Sequence, residues 1–502
     1  MRSIDPDHMV APLLEALVLD RGAEASLQEQ LWLGLKRLIQ RGTLRPGRPV
    51  PSSRSLAEDL SVSRNTVMAT YDRLVGEGYL ESRPRSGVFV SASLASVPRH
   101  SDRPRVHPAP DVGDVEPLLD PLPFRPCQPD VRLFPLALWN RLRARRLRTD
   151  GMRLLQYQSH LALGLPELRR SLASYLRDSR GVQCGWRQVA ITSGSQQALF
   201  LLAQLLVRPG STVVMEDPGY AGARQAWLQR GAALEPVAID EQGLVSPTTL
   251  DGLKPALIYV TPSRQFPTGA CLPVSRRLEW LAYARRRATW IVEDDYDSEF
   301  RYGRPPTPSL HSFDTAGRVI YVGSMSKVLF PSLRIGYVVL PHALVEPFGA
   351  LRSVVDDHGP FVDQAVLAAF IDSGAFYTHI RRCRRHYAER QQVFLESARR
   401  AGLPLRFSQT DGGMNLLGRL PAGVDDVRLS RRLRTRDFDV PPLAAYAFRP
   451  QPPGLVFGYT AFEPKSIRQE VQRLSRLLST RVERRGGCDS EAVPRPVGTA
   501  HR

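Results

Sequence analysis

Apolar residues recur at helical spacing at Leu27, Leu31, Leu35, Leu38 and Ile39, and Arg41-Gly42 ends the run. A second helix is expected from Ser55 to Leu60, after the stretch from Pro49 to Ser53. The tight turn Ser61-Val62-Ser63 then opens a third helix reaching Glu77, with Ser63 as its N-cap. Gly78-Tyr79-Leu80 begins a short strand, and Ser86-Gly87 turns the chain back into Val88-Phe89-Val90. Three helices and a two-stranded wing within roughly 65 residues are the layout of a compact DNA reader. Periodicity then stops. Ser91 to Leu122 carries Pro98, Pro104, Pro108, Pro110, Pro117 and Pro121, a composition that predicts a stiffened linker. Beyond Pro123 the pattern alternates short β-branched runs with long amphipathic helices as far as Leu478. Among the runs are Val189–Thr192, Thr212–Met215, Leu257–Val260, Trp290–Val292 and Val319–Val322. Near-continuous apolar strands separated by helices predict a parallel or mixed sheet covered on both faces. After Arg481 the polar tail GGCDSEAVPRPVGTAHR has no period and is expected to be disordered.

Composition narrows the class. The 502 residues are 42% apolar and 24% charged, which excludes wholesale disorder and leaves room for more than one domain. The longest apolar stretch, around Ala198 to Val207, falls far short of the roughly 20 residues a membrane helix needs, so no membrane partner is expected. The first residues, MRSIDPDHMV, lack the basic start and apolar core of a secretory signal. The five scattered cysteines do not suggest a disulfide scaffold, and a reducing cytoplasm fits them. A formal charge of +18 favours polyanionic partners. Only four lysines stand among the 68 basic residues (Lys36, Lys254, Lys327, Lys465), so a lysine inside a chemical motif stands out.

The N-terminal pattern has a recognition logic. Arg64, Asn65 and Thr66 occupy the first turn of the third helix, the part of a helix-turn-helix that meets base edges. Arginine reads guanine bidentately, asparagine reads adenine, and Ser63 or Thr66 can take a phosphate. Arg54 starts the preceding helix and can clamp the backbone, while Arg85 and Gly87 lie on the wing with Arg83. Between Pro51 and Val90 five basic residues face five acidic ones, so the module is no bulk polycation and must place its arginines individually.

A second constellation sits at strand ends. Gly323-Ser324-Met325-Ser326-Lys327 follows an apolar run, with Arg334 one loop later. Such a lysine can form a Schiff base with an aldehyde, and the serines and arginine can hold a phosphate. Glu293-Asp294-Asp295-Tyr296 ends another run. One of the two aspartates can pair with a pyridinium nitrogen, and Tyr296 can hydrogen-bond a phenolic oxygen. Ser193-Gly194-Ser195-Gln196 enters a helix through glycine, a phosphate-binding geometry, and Tyr220 can stack on a ring. The run Arg381, Arg382, Arg384 and Arg385, with His379 and His386, reads as a solvated helix face. No His, Cys and Asp group has metal-ligand spacing.

The segment SVSRNTV followed by YDRLVGEGYLESRPRSGVFV resembles the winged helix of GntR-type regulators, and the strand-end residues are similar to the fold-type I aminotransferase pattern. Together they resemble the MocR-type branch of the GntR regulators from Gly22 to Leu478. The resemblance implies a multidomain chain with a mainly α winged helix-turn-helix and a C-terminal α/β PLP-dependent transferase-like domain. The divisions are 1–20 as an extension, 21–92 as the reader, 93–122 as the linker, 123–480 as the aminotransferase-like effector domain and 481–502 as the tail. Carried over, pyridoxal 5′-phosphate (PLP) is the cofactor and Lys327 its covalent partner, which is also the catalytic residue if the domain is active. Asp294 becomes the ring-nitrogen partner, with Asp295 the alternative, Tyr296 the O3′ partner and Tyr220 the stacking residue. Ser195, Gln196, Ser324 and Arg334 form the phosphate cradle. The implied partners are a double-stranded DNA operator, PLP with a small amine or amino acid, and a second copy of the chain. Three positions depart from the family. Arg264 and Asn415 stand where histidine is common, and Leu455 stands near the expected carboxylate-clamping arginine, with Arg449 nearby. The expected function is a PLP-dependent transcriptional regulator, and the alternative is an active aminotransferase with a DNA-binding appendage.

Overall fold

The structure is a computed structural model that describes residues 17–96 and 121–479, apart from 24, 304–306 and 409–410. The chain divides into two compact units, Met1–Pro117 and Leu118–Arg502. Most of the linker and the C-terminal tail expected from the sequence lie outside the described residues.

The first unit holds helices α1 (Leu27–Gln40), α2 (Ser53–Asp59) and α3 (Arg64–Gly76) and strands β1 (Leu80–Arg83) and β2 (Gly87–Val90). Leu31, Leu35, Leu38 and Ile39 of α1 pack with Leu56, Val67, Tyr71, Leu74, Leu80 and Val90 into one core, as their spacing requires. Ser63 caps α3 by accepting from the Thr66 N–H at 3.1 Å. α2 starts two residues before its expected position because Ser52 caps it, accepting from the Ser55 N–H at 3.1 Å. The wing pairs antiparallel from Leu80↔Val90 to Arg83↔Gly87. Arg85 and Gly87, at φ 63° and 103°, turn its tip.

The second unit is built on an eight-stranded sheet. In chain order its strands are β3 (Val189–Thr192), β4 (Thr212–Asp217), β5 (Ala233–Asp240), β6 (Gly243–Leu244), β7 (Leu257–Val260), β8 (Trp290–Asp295), β9 (Val319–Ser324) and β10 (Gly336–Val339). Across the sheet they run β3-β10-β9-β8-β7-β4-β5-β6. The inner strands β9, β8, β7, β4 and β5 are parallel, while β10 runs antiparallel between β9 and β3. Helices bury both faces, with Trp139, Leu172 and Phe370 on one side and Leu199, Trp227 and Phe348 on another. A smaller antiparallel sheet joins β11 (Arg406–Phe407), β12 (Asn415–Arg419) and β13 (Gly454–Gly458), packed on the helices 375–400 and 464–479.

Three strands outrun their apolar signal. β4 continues to Asp217, β8 to Asp295 and β9 to Ser324, so their polar C-terminal residues stay in the ladder. Because β10 is antiparallel, its first residue, Gly336, aligns with Thr192 on one side and Ser324 on the other. Arg334 therefore enters at the same sheet edge where its neighbours end, the edge at which open α/β sheets bind ligands.

Candidate functional site

A cavity of about 340 Å³ opens at that edge, lined among others by Ser195, Tyr220, Asp294, Tyr296 and Lys327. Lys327 lies in a single helical turn, Met325–Val328, directly after β9. Its Nζ donates to the Cys127 carbonyl at 3.1 Å. The alternation of β8 separates the two aspartates. Asp294 faces the cavity and accepts from the Tyr259 hydroxyl at 2.7 Å. Asp295 points the other way, 2.6 Å from buried Arg180 and 2.6 Å from the Tyr321 hydroxyl. Glu293, on that same side, accepts from the Leu310 and His311 amides at 2.8 and 2.7 Å. Burial pushes the Asp294 carboxyl up to about 6, a rise that the Tyr259 bond and nearby Lys327 oppose.

Of the other predicted cofactor residues, Ser195, Tyr220 and Tyr296 line the cavity, whereas Gln196, Ser324 and Arg334 are not among its lining residues. No side chain caps the helix Ser195–Leu206, so its first-turn amides are open to an anion. Gly194, at φ 95° and ψ 171°, takes a conformation open essentially to glycine alone, and a Cβ there would stand 2.9 Å from Arg334 Nη2. Arg334 Nη2 donates to the Ser193 carbonyl at 2.8 Å, which seats the guanidinium against this turn. Gln196 is spent locally, donating to the Gly222 carbonyl at 2.9 Å and accepting from the Tyr220 hydroxyl at 3.3 Å. Ser324 Oγ accepts from the Ser326 N–H at 3.2 Å, while buried Ser326 Oγ has no partner. Tyr220 and Tyr296 both meet Phe266 edge-on, at 5.9 and 5.6 Å between ring centres.

A primary amine facing a buried carboxyl, beside an uncapped helix start and an arginine held by a glycine turn, suits an aldehyde-bearing aromatic phosphate. The residues present fit PLP. The sequence did not disclose Arg125 to Gln128, Tyr259, Asp439 or Tyr446, which also line the cavity. Tyr259 was discoverable from the alternation of β7, whereas the segment 125–128 has no period to betray it.

The departures from the family pattern resolve spatially. Arg264 and Asn415 touch, with Arg264 Nη2 donating to the Asn415 carbonyl at 2.6 Å and Arg264 Nε standing 3.3 Å from Asp297. Leu455 is buried in β13, and Arg449, 3.7 Å from Glu235, does not line the cavity. Arg125 is the arginine among the residues lining the cavity, and its half-exposed side chain stands 3.5 Å from Asp439. On helix 375–400, Arg381, Arg382 and Arg385 are exposed, while His379 is buried and its Nε2 donates to the Val328 carbonyl at 2.9 Å. Among the described residues no His, Cys, Asp and Glu group could hold a metal, and no helix is long and apolar enough to cross a membrane.

In the first unit Arg54, Arg64, Asn65, Arg85 and Gly87 are exposed. Ser63 and Thr66 share a hydroxyl contact of 2.8 Å at the start of α3, so Ser63 shapes the turn as well as facing outward. Arg64 Nε donates to Ser53 Oγ at 3.3 Å, and Arg54 pairs weakly with Glu58 at 3.3 Å. With Arg64 at the helix start and Arg54 one helix away, Arg64→Ala is expected to cost about 1–3 kcal/mol and relax preference at one base position. Arg54→Ala is expected to weaken all sequences alike and flatten the salt slope by about one unit. Competition binding over an operator library at two salt concentrations separates the two effects. Unchanged base preference in Arg64→Ala overturns the recognition-helix assignment.

The description "Aminotransferase class I and II" matches residues 142–450, and "Bacterial regulatory proteins, gntR family" matches residues 27–90. The chain is 40% identical over 474 residues to the probable rhizopine catabolism regulatory protein MocR of Rhizobium meliloti, covering 91% of this chain and 95% of that one. It is 34% identical to the HTH-type transcriptional regulator TauR of Rhodobacter capsulatus, covering 93% and 99%. Its second unit is similar to the crystal structure of the α-aminoadipate aminotransferase LysN from Thermus thermophilus, complexed with N-(5′-phosphopyridoxyl)-L-leucine. That match has a TM-score of 0.67 at 30% identity and covers 72% of this chain and 93% of the enzyme.

Proposed function

The chain belongs to the MocR-type gntR regulators, which join a winged helix to an aminotransferase class I and II domain, and on that premise we propose that it adjusts operator binding through a small ligand taken up at Lys327. It is a transcriptional regulator whose larger unit has the fold of PLP-binding proteins. The observation that carries the proposal is the Lys327 amine sharing one cavity with the Asp294 carboxyl, on a chain that also presents Arg64 and Asn65 at a helix start.

When bound, PLP supplies an electrophilic aldehyde and a phosphate by which it is held. The chain's residues then have separable tasks. Lys327 would hold the cofactor through its amine, which the aldehyde chemistry of PLP requires. Asp294 would be the carboxyl available to keep a proton on the ring nitrogen, and Tyr296 the hydroxyl available to the phenolic oxygen. Tyr220 covers the ring. The first-turn amides at Ser195 and Gln196, with Ser324 and Arg334, receive the phosphate. With Leu455 buried, Arg125 is the arginine among the cavity-lining residues to which a carboxylate on the incoming amine would turn.

A homodimer completes the reading. Leu155, Tyr157 and Val354 are 70%, 89% and 85% exposed. Their two segments adjoin, with Ser159 Oγ donating to Asp357 at 3.0 Å and Tyr157 6.0 Å from the His358 ring. Exposed apolar side chains on adjoining segments favour burial against a second copy. Two readers on one dimer call for a two-part operator.

Operator binding at fixed salt tests this function. PLP-free and PLP-loaded protein are expected to differ in affinity, added primary amines to shift it further, and two chains to bind per operator. Equal affinities unmoved by any amine, together with steady transamination at about 1 per second or faster, return the enzyme alternative to first place.

A further inference from the structure

The segment that follows the proline-rich linker in sequence forms one wall of the cavity. Its two ends are anchored. The Phe124 ring packs 5.3 Å from Phe394, and its carbonyl accepts from the Gly458 N–H at 2.8 Å. Asp130 pairs with buried Arg390 at 2.7 Å, and its N–H donates to the Tyr387 hydroxyl at 3.0 Å. Between these anchors the chain is held in unfavourable backbone. Phe124 and Cys127 sit at φ 64° and 59°, a region that side-chain-bearing residues seldom occupy without support.

The support is specific. The Cys127 N–H donates to Asn415 Oδ1 at 2.7 Å, Thr460 Oγ1 donates to the Gln128 carbonyl at 2.6 Å, and Lys327 Nζ donates to the Cys127 carbonyl at 3.1 Å. The first two partners lie outside the cavity lining, while Lys327 lies on it. Of these three bonds, the one from Lys327 depends on whether its amine is free.

We infer that the Cys127 carbonyl is the resting place of the free Lys327 amine, and that residues 124–130 form a strap reporting the state of that amine to the linker. The inference deepens the proposed function and rests on Lys327 being the cofactor-linked lysine. With the amine free, it closes the Cys127 turn and the strap is held at three points. With the amine committed to the cofactor aldehyde, the Cys127 carbonyl loses that charged donor, and the strained turn keeps only its Asn415 and Thr460 bonds. In sequence the strap begins where the expected linker, 93–122, ends. A ligand amine that displaces Lys327 restores the bond. The strap thus has two states that a ligand biases, as coupling between distant sites requires.

Hydrogen exchange read by mass spectrometry on the full-length protein tests the strap. In the PLP-free protein, Lys327→Met is expected to speed exchange over residues 124–130 by about tenfold, the loss of one charge-assisted hydrogen bond, with the first unit's core unchanged. Loading the wild-type protein with PLP is expected to speed exchange over the same residues. Equal exchange in wild type and Lys327→Met overturns the strap, as does exchange that stays the same or slows on loading. The loading arm uses only wild-type protein, so it stands whether or not the variant folds. The visible absorbance band of the loaded sample separates the two ideas. A missing band overturns the cofactor reading and the strap with it, whereas a band with unchanged exchange overturns the strap alone.

Discussion

Lys327→Ala is expected to abolish the visible absorbance band that the PLP-loaded protein shows, and with it any effect of PLP on operator affinity. The band requires an amine bonded to the cofactor aldehyde, and Lys327 is the lysine on the cavity wall. The fold should tolerate the change. The residue lies in a short helical turn where alanine is acceptable, and its charge-assisted hydrogen bond to the Cys127 carbonyl is worth about 1.5 kcal/mol net. Absorbance spectra of wild type and variant after PLP loading, with urea unfolding as the control, give the answer. A band retained in a folded variant sinks the assignment of Lys327.

The largest effect on stability is expected at Arg180, a residue the sequence did not single out. Its guanidinium is 3% exposed and bonds Asp295, the Thr307 carbonyl at 2.9 Å and Ser263 Oγ at 2.7 Å. Arg180→Ala leaves Asp295 as a buried charge with only the Tyr321 hydroxyl for company, a loss of about 3–5 kcal/mol. Asp294→Asn is expected to behave in the opposite way. Burial raises the Asp294 carboxyl to about 6, so in the cofactor-free protein its ionised form costs stability above that pH. The cost disappears as the pH falls from about 6 towards the unfolded value of about 4. Asparagine still accepts the Tyr259 bond but carries no charge, so the variant is expected to be more stable than wild type at neutral pH, with the gain shrinking below pH 6. PLP affinity should fall, because the partner of the ring nitrogen is gone. Urea unfolding of both variants at pH 5 and pH 8 checks the contrast. A loss of stability in both variants at pH 8 would overturn the assignment of Asp294 as a buried carboxyl whose ionisation costs stability.

That contrast also marks how far residues alone carried the argument. The helices of the first unit were legible because Leu31, Leu35 and Leu38 repeat at helical spacing and Ser63 is a strong cap. The strands at Val189, Leu257 and Val319 were legible because both of their faces are buried, which leaves uninterrupted apolar runs. Lys327, Asp294, Tyr296 and Tyr220 were legible as residue types whose chemistry has few other uses at strand ends. The acids at the ends of β4 and β8 were legible as strand ends, but which of Asp294 and Asp295 faces the cavity was not.

The sequence by itself determined the elements, their order and the chemical set, because periodicity, capping and residue type act over a few positions. The tertiary structure decided which face each residue serves. It turned Asp294 inward and Asp295 toward Arg180, since strand alternation fixes only that they differ, and packing against Tyr259 and Tyr321 fixes which is which. It brought Cys127 to Lys327, 200 positions away, and to Asn415, 288 positions away. No local pattern encodes such contacts, because they arise only when segments that are distant in the chain, here 124–130, the turn after β9 and β12 of the smaller sheet, pack together. The same packing buried Leu455 in β13 and brought Arg125 into the lining of the cavity.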